Sequence, residues 1–187
     1  MKNREYKSRR NKLAKAIGKG GVAIIATADL STRTNDTDYP FRSDSDFYYL
    51  TGFLEPNSLM LLAPGRPEGE FILCVRPKNP LMETWEGHME GLNGVIKNYD
   101  VDQSFDIANI DVVLKDLLYG KEKIFYSIGK NNFYDEKVTE VFKVLRESQR
   151  QGGVVPNEIV SIDTIINEMR QIKSRKEKIA LIFLLTM

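Results

Sequence analysis

Arg33–Phe53 reads RTNDTDYPFRSDSDFYYLTGF, and its folding decides how the rest of the chain is arranged. Asp36, Asp38, Asp44 and Asp46 crowd into a short polar run, which then closes on Phe47, Tyr48 and Tyr49. Pro40 forces Tyr39 into an extended conformation, with a trans bond favoured between them. Ser43-Asp44-Ser45 offers side-chain oxygens for a helix start. Asp46 suits a first turn, and Gly52 suits the residue just past a helix end. The spacing therefore predicts a short helix over Asp46–Thr51 that buries Phe47, Leu50 and part of Tyr48 or Tyr49. Such a helix would brace the Asp-rich loop Asn35–Asp38. Two readings stand: a scaffolded loop that presents polar groups, or a packed structural corner.

Apolar periodicity orders the flanks. Tyr6, Leu13 and Ile17 share one face of a predicted helix over Asn3–Ile17. Lys2, Arg4, Lys7, Arg9, Arg10, Lys12 and Lys15 surround that face and are read as solvated, with some subunit contact. Gly18, Gly20 and Gly21 end this helix before a buried strand at Val22–Ala28. Ser58–Ala63 and Glu70–Arg76 are nearly continuous apolar runs, as in strands covered on both faces. Pro64–Gly69 turns the chain between them, so they form an antiparallel hairpin. Further on, Pro80–Glu86 reads as a short helix ending at Gly87, Ile107–Leu118 as a helix and Lys123–Ser127 as a strand. Helices follow over Asp135–Gln149 and Ile159–Ile172, with a break at Gly152, Gly153 and Pro156. The alternation gives an α/β fold, a mixed β-sheet flanked by helices.

Composition narrows the function classes. The 187 residues are 42% hydrophobic and 28% charged, with net charge +1. That balance suits a globular chain and offers no global attraction for nucleic acid or an acidic membrane. The longest apolar run, Ile179–Leu185, is far shorter than the roughly 20 residues that span a bilayer. No signal peptide is read at the N-terminus, and a cytoplasmic location is expected. Ile179–Leu185 is expected to be disordered, to fold back on the domain, or to mediate self-association.

No complete active site is legible. His88 is the only histidine and Cys74 the only cysteine, so neither a multi-histidine nor a thiolate metal site can form. Cys74 lies in an apolar run and reads as a buried hydrophobe, while His88 reads as a surface or half-buried structural residue. The four Asp residues lack the Gly and terminal Glu of a calcium loop. Gly18-Lys19-Gly20-Gly21 precedes a strand, whereas a phosphate cradle precedes a helix.

Arg33–Phe53 with Glu55-Pro56, Glu83-Thr84-Trp85-Glu86-Gly87 and Ile165–Ser174 together resemble the N-terminal domain of bacterial Xaa-Pro aminopeptidases. That domain is related to those of creatinase and prolidase. The resemblance covers the chain to about Ala180. It implies an N-terminal domain over residues 1–172, then a linker and the start of a catalytic domain over 173–187. It further implies that the parent enzyme removes the residue before a penultimate proline, using two divalent metals, typically manganese, held by the other domain. Implied partners are that catalytic domain, proline-containing peptides and further copies in a homo-oligomer. No catalytic residue or metal ligand is assigned in this chain. Trp85 matches a tryptophan near the family's substrate pocket, the alternative being an interface or core aromatic. Asp36 matches an acidic position that approaches a neighbouring subunit's active site, the alternative being an Asx-turn residue. A stand-alone binding or assembly module, or a prolidase- or creatinase-type protein, is the competing function.

Overall fold

The computed structural model describes residues 2–150 and 152–185. The chain opens with α1 (Lys2–Ile17), β1 (Gly21–Ala26) and a small hairpin, β2 (Thr32–Thr34) and β3 (Thr37–Asp38). Next come α2 (Ser45–Thr51), β4 (Leu59–Leu62), β5 (Phe71–Val75), α3 (Pro80–Glu86), α4 (Gly91–Tyr99) and β6 (Gln103–Asp106). A single 3₁₀ turn at Ile107–Asn109 leads into α5 (Ile110–Leu118). The last elements are β7 (Lys123–Phe125), α6 (Asn132–Gln149), β8 (Glu158–Val160), α7 (Asp163–Gln171) and α8 (Arg175–Leu185).

Six strands form one mixed sheet in the order β6-β5-β4-β1-β7-β8. β4 runs antiparallel to both β1 and β5, with Ile24 opposite Leu61 and Met60 opposite Leu73. β5–β6, β1–β7 and β7–β8 are parallel. The expected α/β class, the mixed sheet and the β4–β5 hairpin are all present.

Alternation along the central strands divides the core between two faces. Val22, Ile24, Leu59, Leu61, Ile72 and Cys74 face α5 and α6, which contribute Leu114, Leu117, Val138 and Val141. Ala23, Ile25, Met60, Leu62, Leu73 and Val75 face the other way, against Leu13, Phe47, Leu50, Val95 and Ile166 of α1, α2, α4 and α7. Each fully buried Leu or Ile contributes about 1.5–3 kcal/mol relative to exposure. Gly21 is required where α1 meets β1, since a Cβ there would lie 2.7 Å from the Phe125 ring and 2.8 Å from the Ile17 carbonyl oxygen.

Several expectations are corrected. Asn35–Asp38 is not an open loop: Asn35 and Asp36 turn the β2–β3 hairpin. The predicted helix at Ile159–Ile172 begins only at Asp163, because Ile159 belongs to β8, paired with β7. β6 and α4 carried no predicted element. β6 reads Gln-Ser-Phe-Asp, too polar and short for a strand signal, and α4 contains Gly91 and Gly94. Arg10 does not lie on a solvated face; it is buried, donates to the Leu50 carbonyl at 3.0 Å and stacks 3.8 Å from the Phe71 ring centre. Tyr39–Pro40 is trans, like every described peptide bond.

Residues 175–185 are helical rather than disordered, with Ile179, Ile182 and Phe183 well exposed. Ser174 and Glu177 form a reciprocal cap at the helix start. The Ser174 N–H donates to Glu177 Oε2 at 2.7 Å, and the Glu177 N–H to Ser174 Oγ at 3.3 Å. Ser174 Oγ also meets Glu5 Oε1 at 2.6 Å, and Arg9 lies 3.3 Å from Glu177, so the cap is fastened to α1.

Candidate functional site: an exposed arm and an exposed helix at one end of the sheet

β1 and β5 both run antiparallel to β4, so they point the same way. The β2–β3 arm follows β1 and α3 follows β5. Both therefore leave the sheet at the same end, where the β7–α6 connection also emerges. In parallel-rich sheets, this carboxyl end of the strands is where binding groups collect.

Residues 29–40 are exposed throughout. The arm is closed at its base by a hydrogen bond from the Tyr39 N–H to the Ser31 carbonyl at 2.8 Å. Asp36 sits at its tip, where Thr37 Oγ1 donates to Asp36 Oδ1 at 3.3 Å. A turn position and outward presentation thus coexist in this residue. α2 supports the arm's C-terminal side as the residues require. Asp44 Oδ1 accepts from the N–H groups of Asp46 and Phe47 at 2.8 and 2.9 Å, the N-cap expected of this residue type. Gly52 ends the helix at φ 71°, and a Cβ there would meet the Tyr6 ring at 2.4 Å. Arg9 donates to the Tyr49 carbonyl at 2.9 Å and lies 4.0 Å over the Tyr49 ring.

The four aspartates do not converge. Asp36 and Asp38 point from the arm, Asp44 caps α2, and Asp46 pairs with Arg170 and, at 3.2 Å, with Lys130. Among the described residues no group of three or more His, Cys, Asp or Glu is placed to hold a metal ion. The dinuclear centre implied by the resemblance has no ligand set among the described residues.

α3 buries none of its residues. Trp85 is 86% exposed and Leu81 80%, with Met82 beside them. The core reading of Trp85 is excluded. Polar contacts hold this helix instead: Asn79 caps it through Leu81 N at 3.0 Å, Arg76 pairs with Glu86, and Lys78 reaches Glu83 at 3.1 Å. The Met89 N–H and then Lys78 hold the Glu83 carboxyl below the usual range. His88 is exposed and lies 3.4 Å from Glu83. Cys74 is buried, which pushes its thiol up to about 12 and leaves it unreactive.

At the ends of β1 and β7, between the start of α2, the β7–α6 connection and α7, lies a cleft of about 270 Å³. Lys130 spans it, 3.2 Å from Asp46 and 2.7 Å from Asp163, and Ser127 Oγ donates to Asp163 at 2.7 Å. Burial opposes the Asp163 charge, but hydrogen bonds from Lys130 and Ser127 overcome it and hold its carboxyl below the ordinary range. Sequence reasoning missed Lys130 and Asp163. Lys130 and Asp46 are 84 positions apart, and no local pattern announces such a pair.

The chain is a three-layer α/β domain that presents an exposed arm and a helix with exposed Leu81, Met82 and Trp85 at one end of its sheet. The family model for the aminopeptidase P N-terminal domain matches residues 6–126, and the chain belongs to that family. The Xaa-Pro aminopeptidase of Escherichia coli is 29% identical over 95% of this chain and 40% of its own length. That of Haemophilus influenzae is 30% identical over 92% and 38%. The structure of Pseudomonas aeruginosa aminopeptidase PepP superimposes with a TM-score of 0.89 at 37% identity, covering 92% of this chain and 39% of that one. The chain thus spans about 40% of the length of the relatives it matches.

Proposed function

We propose that this chain is the accessory part of an Xaa-Pro aminopeptidase, shaping the substrate entrance and the subunit contacts of an active site built elsewhere in the protein. The observation that carries this reading is the match of nearly the whole chain, in sequence and in fold, to the N-terminal part of such enzymes. The parent activity is release of an N-terminal residue that precedes proline. Its chemistry rests on two divalent metals, manganese in our reading, which polarise the peptide carbonyl and activate water. Residues 1–172 form the accessory domain, and 173–187 lead towards the catalytic part. α2 holds the arm, together with Asn131 Nδ2, which donates to the carboxylate of Asp29 at the arm's root; Asp36 at its tip reaches towards a neighbouring subunit of a homo-oligomer. Trp85, Leu81 and Met82 supply an apolar wall for the substrate side chain. A cytoplasmic location completes the proposal; in support, no helix among the described residues is long and apolar enough to cross a membrane.

A chimera tests it. Residues 1–172 would replace the corresponding segment of the Escherichia coli enzyme, and metal-dependent release of the first residue from an Xaa-Pro peptide would be followed. Activity is expected in the chimera and none in the 187-residue chain alone. A folded chimera without activity, or an active isolated chain, would overturn the reading. Within an active chimera, Trp85→Ala is expected to raise KM by roughly tenfold, the effect of removing one apolar wall from a pocket.

A further inference from the structure

At the opposite flank of the molecule, β8 closes the sheet and, among the described residues, has no strand on its outer side. Successive peptide groups in a strand point to opposite sides. The Val160 carbonyl accepts from the Tyr126 N–H at 2.9 Å, facing β7; the peptide groups of Ile159 therefore face outwards. Beside this open edge runs a groove of about 440 Å³ between α6 and the β7–β8 side of the sheet. Its surface is apolar: Ile128 is 63% exposed, Ile159 42%, and Phe142 is only partly covered.

The rim of this groove is basic. Lys143 and Arg146 line it one helical turn apart on α6, and neither pairs with a carboxylate among the described residues. Two of the nearby acids already have partners. Asp135 accepts from Tyr126 Oη at 2.7 Å and from the Gly129 N–H at 2.9 Å, and Glu158 pairs with Lys123 at 2.8 Å. An open strand edge, an apolar floor and two unneutralised cations together specify a ligand. It must be extended, and the alternate side chains that it turns towards α6 must include both apolar and acidic ones.

We infer that this face binds an extended acidic segment of a partner protein, added to the sheet beside β8. Main-chain hydrogen bonds form to Ile159. Apolar side chains settle on Ile128, Phe142 and Ile159, and carboxylates meet Lys143 and Arg146. A second copy of this chain fits poorly, because a two-fold β8–β8 pairing would bring Lys143 and Arg146 of both copies to one seam, where like charges repel.

The test titrates the 187-residue chain with the fluorescein-labelled octapeptide Thr-Val-Thr-Glu-Thr-Val-Thr-Glu, whose Val and Glu share one face as a strand, and with its counterpart carrying Lys for Glu. Anisotropy and backbone amide shifts are read together. The acidic peptide is expected to saturate, with the largest shifts over Glu158–Val160, and the basic peptide not to bind. Lys143→Glu combined with Arg146→Glu is expected to weaken binding by at least about tenfold without moving the unfolding midpoint. Ile159→Pro, which removes an outward N–H and no ladder bond, is a second variant expected to weaken it. No saturation up to about 1 mM, equal binding of both peptides, or shifts away from β8 would overturn the inference. So would concentration-dependent dimerisation through β8 in the absence of peptide.

Discussion

Asn131 Nδ2 donates to both carboxylate oxygens of Asp29, each at 2.9 Å, across 102 positions of sequence. The same Asn131 side chain caps α6 through Oδ1, which accepts from the Tyr134 N–H at 3.2 Å. One residue therefore fastens the root of the arm and the start of a core helix. Asn131→Ala should cost about 1–2 kcal/mol in urea unfolding, the usual range for a lost N-cap, and should speed amide exchange over Thr32–Asp38. Asn131→Asp keeps the cap but sets two carboxylates face to face. It should loosen the arm with a smaller loss of stability. Equal exchange in both variants and the parent would show that the contact does not hold the arm.

Trp85 gives a test with a near-zero expectation. An aromatic in the core costs about 3–5 kcal/mol when cut to Ala. At 86% exposure, Trp85→Ala in the isolated chain should change stability by no more than about 0.5 kcal/mol. As the sole tryptophan, it should also report a water-exposed indole in its fluorescence. A blue-shifted emission would mean that the helix is covered in solution.

The Lys130–Asp163 pair sets an acid limit. Asp163 has a folded-state pKa below its unfolded value, so its stabilisation is present above the unfolded pKa, about 3.9. It is lost as pH falls through the depressed folded value. Lys130 is the converse case: burial opposes its charge, but Asp163 and Asp46 raise its pKa. Its contribution is complete below the unfolded pKa, about 10.4, and disappears as pH rises through the folded one. Urea midpoints measured from neutral to acid pH should fall less steeply for Asp163→Asn than for the parent chain. Parallel curves would count against the pair.

Arg10 should resist conservative exchange. Its guanidinium donates to the Leu50 carbonyl and stacks on Phe71 at the same time, which a compact ammonium cannot do. Arg10→Lys should destabilise by about 1–3 kcal/mol, the cost of an imperfectly satisfied buried polar group. Arg4→Lys, on the exposed side of the same helix, should be neutral in the same urea titration.

What could be read from the chain followed the range of each interaction. The cap at Asp44, the stop at Gly52 and the paired runs of β4 and β5 rest on contacts within a few residues, and these were legible. The helical spacing of Ile162, Ile165, Ile166 and Met169 draws Ile159 into the predicted helix; only the pairing with β7 makes Ile159 a strand residue. Arg10 was assigned to solvent because basic neighbours surround it, and nothing local reveals that Phe71 and Leu50 enclose it. The same limit hid Lys130, Asp163 and Asn131, whose partners lie dozens of residues away. Trp85 and Asp36 entered only through family resemblance. Their exposure and their shared end of the sheet became visible with the strand directions.

Because the Tyr39 N–H closes on the Ser31 carbonyl, the arm is a loop with its mouth already shut. Lengthening such a loop adds only slowly growing closure entropy, about 0.6 kcal/mol for each doubling, and none of its exposed side chains supports the core. Residues 32–38 can therefore be exchanged, inserted into or lengthened while the six-stranded sheet keeps its sequence and register. The domain carries a replaceable cartridge, so the groups displayed at this end can change without refolding the scaffold behind them.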